Sequence, residues 1–164
     1  MNAVAGEPRA AEDLAMRPSS EREHRIVVGV DGSTPSKDAL AWAIRQAKLT
    51  GATVEAVMAW EYQNYGYPVP VTPGVDFKEL ARQVVVAAIA EVCGADEQVG
   101  VTPKVVQGNA ARVLLDASAG ADLLVVGSRG HGGFVEALLG SVGQHCVQHA
   151  TCPVVVIRDS VASG

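Results

Sequence analysis

Two glycine pairs near the C-terminus have the residue types and spacing to hold phosphate. Gly127-Ser128-Arg129-Gly130 is followed, after nine residues, by Gly140-Ser141. The apolar run Leu123-Leu124-Val125-Val126 leads in, and a helical stretch from Ser141 or Val142 to Ala150 leads out. A strand, a glycine loop and a helix start bring main-chain N–H groups and the positive end of a helix dipole to one place, which favours an anion. Gly127 is expected to let the chain turn out of its strand, and Gly130 to let phosphate oxygens approach with no Cβ in the way. The N–H groups of Ser141, Val142 and Gly143 open the helix as donors without intrahelical acceptors. The Ser141 hydroxyl is either a further phosphate donor or the helix N-cap, and Arg129 and His131 are available as positive charge. A lone Gly-x-x-Gly would more simply shape a tight loop. The second anchor at a helix start shifts the reading toward a nucleotide.

The elements that position these residues alternate. Ile26-Val27-Val28-Gly29-Val30 is a buried strand ending at Asp31-Gly32-Ser33. Ser33 or Thr34 caps a helix that has Pro35 at its start, apolar residues at Ala39, Leu40, Ala43, Ile44 and Ala47, and Gly51 as its stop. Strands are expected at Thr53–Trp60, Val101–Val106, Asp122–Gly127 and Val154–Ile157, and helices at Phe77–Cys93 and from Gly108-Asn109 through Ala119. The order βαβαβαβαβ implies one α/β domain with a parallel sheet and helices on both faces. Ligands on such sheets sit beyond the carboxyl ends of the strands where the strand order reverses. If the strands ending at Asp31 and Gly127 are neighbours there, both residues border one cleft. Asp31 can close an Asx turn or cap a helix; its place at a strand end favours a carboxylate facing the ligand. Close to phosphate, it needs a metal or a ribose hydroxyl in between.

Composition sets the outer bounds. The chain has 164 residues, 48% of them hydrophobic and only 4% aromatic, which suits buried parallel strands under Ala-rich helices. A net charge of −5 with no basic run disfavours nucleic acid. No apolar stretch approaches a membrane span. Three cysteines with no C-x-x-C fit a reducing cytoplasm. Residues 1–24 carry no hydrophobic signal core and read as a disordered tail, 25–158 as the domain, and 159–164 as a short tail. The loop Glu61–Asp76, about sixteen residues long and rich in Tyr and Pro, reads equally as functional or as a surface insertion.

This pattern resembles the universal stress protein family, in particular its ATP-binding branch. Gly127, Gly130, Gly140 and Ser141 match that branch's G-x2-G-x9-G-[ST] without a gap. Ile26 to Ser33 is similar to the family's first strand and acidic turn, Ala121 to Gly130 to its fourth strand, and Cys152 to Ile157 to its closing strand. The resemblance covers about residues 25 to 158. It implies a Rossmann-like fold of the adenine-nucleotide α-hydrolase kind, with strand order 3-2-1-4-5. It implies ATP as ligand, with Mg2+ or Mn2+ held through the phosphates, and a homodimer through Val154–Ile157. Site by site, it implies Asp31 beside ribose and phosphates, the main chain near Ala59 facing adenine, and Gly127 at the ribose. Gly130, Gly140, Ser141 and Val142 would hold the phosphates.

Enzymatic readings are weaker. No Walker lysine precedes Ser141, no G-x-S-x-G elbow is present, and His131-Gly132-Gly133 only superficially resembles an H-x-G-H signature. Slow hydrolysis or none is expected, within a regulatory role in the stress response. The alternatives are a nucleotide-independent interaction module, or a weak hydrolase or nucleotidyl transferase of the same fold. His145 and His149 share a helix face at i,i+4 but read as solvated rather than as a zinc site.

Overall fold

The computed structural model describes residues 23–61, 74–95, 99–130 and 139–158. Most of the N-terminal tail, of the tyrosine-rich loop and of the C-terminal tail, and His131 with them, lie outside the described residues. The elements are β1 (Arg25–Gly29), α1 (Thr34–Thr50), β2 (Thr53–Trp60), α2 (Phe77–Cys93), β3 (Val101–Gln107), α3 (Ala110–Ser118), β4 (Leu123–Gly127), α4 (Ser141–His149) and β5 (Val154–Ile157).

All strand pairs are parallel, in the order β3-β2-β1-β4-β5. β1 therefore lies beside both β2 and β4, with Gly29 opposite Val57 and Val28 opposite Val125. That is the reversal point expected of a doubly wound sheet.

The apolar runs of β1 and β4 are continuous because both faces of the sheet are covered. Ile26, Val28 and Val125 enter one core with Leu40 and Ala43 of α1 and Val85 and Ala88 of α2. Val27, Leu124 and Val126 enter the other with Val113 and Leu114 of α3 and Cys146 of α4. α1 and α2 thus cover one face, and α3 and α4 the other.

Helix ends follow local chemistry. Ser33, not Thr34, caps α1 by accepting from the Ser36 N–H, and Gly51 closes it at φ 72° with its N–H on the Ala47 carbonyl at 2.8 Å. Asp76 caps α2 and Asn109 caps α3 through their side chains. β4 starts at Leu123 rather than Asp122. The Asp122 carboxylate is occupied in accepting the Arg25 N–H at 2.8 Å.

At this amino end, the Arg25 guanidinium meets Glu55 at 3.1 Å and the carbonyls of Ala117 and Ala119 at 2.9 and 3.0 Å. It thereby closes the end of α3, where carbonyls lack intrahelical donors. The opposite, carboxyl end carries a cleft. The two sheet edges also differ. β3 exposes Thr102, Pro103 and Lys104, features that discourage edge pairing, whereas β5 is four half-buried aliphatic residues.

Candidate functional site

A cleft of about 310 Å³ opens at the carboxyl ends of β1, β2 and β4. All eight residues expected to contact a ligand line it: Asp31, Ala59, Gly127, Arg129, Gly130, Gly140, Ser141 and Val142. Three helices start there, with Ser36 of α1, Ala110 of α3 and Gly143 of α4 in the same wall. Their positive dipole ends point to one volume.

α4 differs from the other described helices at its start. Its N-cap is Gly140, with no side-chain cap bond. The first intrahelical bond is Gln144 N–H to the Gly140 carbonyl at 2.9 Å. The N–H groups of Ser141, Val142 and Gly143 precede it, and all three residues border the cleft. Ser141 is the first helical residue, so of the two roles expected for its hydroxyl the N-cap is removed. The two glycine anchors are joined directly, because the Gly140 N–H donates to the Ser128 carbonyl at 2.7 Å. Ser128 is itself buried, and its N–H donates to the Ile157 carbonyl at 2.7 Å, which ties the loop to β5.

The glycines serve different ends. β4 ends at Gly127 and the chain bends at Ser128, without a left-handed conformation at Gly127. The missing Cβ of Gly127 makes room for α1: an added Cβ would stand 2.9 Å from the backbone C and O and the Cβ of Pro35. At Gly130 a Cβ would stand 2.7 Å from Asp31 Oδ2. The space kept open there faces the Asp31 carboxylate. At Gly140 nothing in the described protein comes nearer than 3.7 Å, so its own fold leaves room for a methyl group.

Asp31 closes the expected Asx turn and also borders the cleft. Oδ1 accepts the Ser33 N–H at 2.9 Å and the Ser33 hydroxyl, an Asx turn leading into α1. Oδ2 faces Gly130 across the cleft. Ser36, which sequence reasoning missed, helps hold this turn. Its hydroxyl donates to the Ser33 carbonyl at 2.9 Å and accepts the Asp31 N–H at 3.3 Å. The signal was a serine three residues beyond the capping serine, where the side chain reaches back over the helix start.

Ala59 contributes main chain. The β1 ladder stops at Gly29 opposite Val57, with one further bond from the Val30 N–H to the Val57 carbonyl at 2.9 Å. The Trp60 carbonyl turns the other way, to the Gly108 N–H at 2.9 Å. Since strand residues alternate, the amide and carbonyl of Ala59 lie on the side that β1 has vacated. They can offer one donor and one acceptor to the edge of a flat heterocycle.

Among the described residues, the cleft lining holds one acidic side chain, Asp31, and one basic, Arg129.

A protein-family model described as the universal stress protein family matches residues 23–158. The chain belongs to the universal stress protein family. It is 37% identical over 139 residues to a universal stress protein of Mycobacterium tuberculosis (Rv2623), covering 83% of this chain and 46% of the relative. The chain spans about half the length of the curated relatives it matches.

Solved structures carry the same fold. A universal stress protein in complex with cAMP matches with a TM-score of 0.59 at 23% identity, over 83% of this chain and 97% of that one. A universal stress family protein of Arabidopsis thaliana with AMP bound matches with a TM-score of 0.53 at 22% identity, over 85% and 94%. No helix among the described residues is long and apolar enough to cross a membrane.

Proposed function

We propose that this universal stress protein binds ATP in the cleft and acts as a regulator in the stress response, through nucleotide occupancy and pairing with a second copy. One observation carries the reading. The start of α4, which no side chain caps, borders the same cleft as Gly127, Gly130 and Asp31. Adenine lies against the Ala59 main chain, and ribose sits between Asp31 and Gly127. The amides of Gly130, Ser141 and Val142, with Gly140 leaving room, take the phosphates, and Arg129 adds positive charge. The solved relatives with cAMP and with AMP support an adenine nucleotide as the class.

The donor set also fits a divalent metal on the phosphates. Asp31 Oδ2, so close to Gly130, would repel phosphate oxygens unless a ribose hydroxyl or a cation such as Mg2+ or Mn2+ stood between them. Hydrolysis is slow or absent in this reading. No lysine lines the described cleft to reach a γ-phosphate, and efficient phosphoryl transfer needs positioned charge there. The aliphatic β5 edge (Val154–Ile157) supports a homodimer that continues the sheet. The cytoplasm is the proposed location.

The test is to purify the protein without added nucleotide, denature it and identify the adenine compounds released. Stoichiometric ATP supports the reading. AMP or cAMP in its place would move the ligand within the class. No release, together with no heat of binding for any of the three, would overturn nucleotide binding and leave an interaction module.

A further inference from the structure

His145 and His149 were expected to form a solvated face of α4, and their geometry carries more than that. Both are exposed, one turn apart, with ring centroids 4.6 Å apart and planes inclined by 46°. Helical i,i+4 spacing already brings the two imidazoles together, so little further side-chain ordering is needed to place a nitrogen of each on one ion. Cys146, between them in sequence, is fully buried in the core and is not a ligand. His149 stands in the last turn of α4, where the negative end of the helix dipole favours a cation. The described residues hold no cluster of three or more His, Cys, Asp or Glu around one point. Among the described residues the ligand set is two nitrogens, with water to complete it.

We propose that His145 and His149 chelate one divalent transition metal of the nickel, copper and zinc class, forming a clip across the C-terminal turn of α4. Imidazole suits these ions. Mg2+ and Ca2+ demand oxygen ligands and pass the site by, which distinguishes it from a metal carried on phosphates at the other end of the same helix. The inference does not depend on the nucleotide reading.

The experiment uses tag-free, nucleotide-free full-length protein titrated with NiCl2, followed by calorimetry and thermal melting. One Ni2+ per chain is expected. At a hundredfold excess over Kd, Tm should rise by roughly 5–10 °C, because metal binds only the folded helix. MgCl2 should do nothing. His145→Ala and His149→Ala, both exposed and so expected to melt like the parent without metal, should each weaken Ni2+ binding by about 100-fold or more. Each loses the intramolecular second ligand. No Ni2+ binding, binding that survives both substitutions, or a loss of only about twofold in each would overturn the clip.

Discussion

Gly127→Ala and Gly130→Ala make a pair that separates fold from site. At Gly127 the added Cβ would lie 2.9 Å from three atoms of Pro35, two of them backbone. Ordinary carbon contacts fall at about 3.5–4.0 Å, so α1 or β4 must retreat by roughly half an ångström to one ångström. Pro35 sits in the first turn of α1 with its φ fixed by the ring, and cannot turn aside alone. Overpacking of this kind costs about 2–3 kcal/mol, which in a chain of this size lowers Tm by roughly 5–10 °C.

At Gly130 the added Cβ meets only the tip of one side chain, Asp31 Oδ2, and the next nearest atom, Asp31 Cγ, is at 3.9 Å. The carboxylate must shift against the Oδ1 bonds that hold it to Ser33, at a cost of about 1–2 kcal/mol and roughly 2–5 °C in Tm. The displaced carboxylate and the new methyl then disturb the phosphate position. Loss of one charge-assisted hydrogen bond, about 1.5–3 kcal/mol, weakens ATP binding by roughly 10- to 100-fold. Differential scanning fluorimetry and titration calorimetry on both variants read the two effects. A Gly127→Ala protein as stable as the parent, or a Gly130→Ala protein that melts as early as Gly127→Ala, would refute this division of labour.

Three further outcomes are expected. Gly140→Ala should fold, with a stability loss near 1 kcal/mol for a poorer N-cap, yet bind ATP more than about tenfold more weakly by calorimetry; unchanged affinity would move the phosphates elsewhere. Arg25→Ala removes the guanidinium from Glu55 and from two α3 carbonyls, and should cost about 2–3 kcal/mol in urea unfolding without altering ATP affinity at the far end of the sheet. Burial, with the neighbouring Cys152 adding to it, pushes the Cys146 thiol from 9.0 up to about 11. Below pH 9 both folded and unfolded chains keep that proton. Above it the unfolded chain releases it first, so stability falls by roughly 2–3 kcal/mol as pH rises toward 11. Cys146→Ala should flatten that alkaline limb in pH-dependent unfolding.

The sheet and the outline of the cleft were legible in the sequence because each rests on local patterns. Continuous apolar runs such as Ile26–Val30 and Leu123–Val126 identify strands buried on both faces, and Gly51 or Ser33 mark helix ends. The glycine spacing located the loop, and Gly127, Arg129, Gly130, Gly140, Ser141 and Val142 line one cavity. The reasons for individual residues were not legible, because they depend on contacts between segments far apart in the chain. Gly127 is small because Pro35, from the start of α1, packs against it. Gly130 is small in part because Asp31 reaches over it. Ser36 joins the cleft only once the turn after β1 folds back over α1. The Ala59 main chain becomes available because β1 ends before β2 does, a matter of register that neither strand reveals alone.

The central claim is that peptide N–H groups at the start of α4 and in the glycine loop receive the phosphates of an adenine nucleotide. Backbone amide NMR of the nucleotide-free protein, titrated with MgATP, observes those groups one by one. The account predicts that the largest shifts fall on Gly130, Ser141, Val142 and Gly143, with smaller ones at Ala59 and Asp31, while the Arg25 end of the sheet stays still. Saturating MgATP that leaves these four amides unmoved would contradict it.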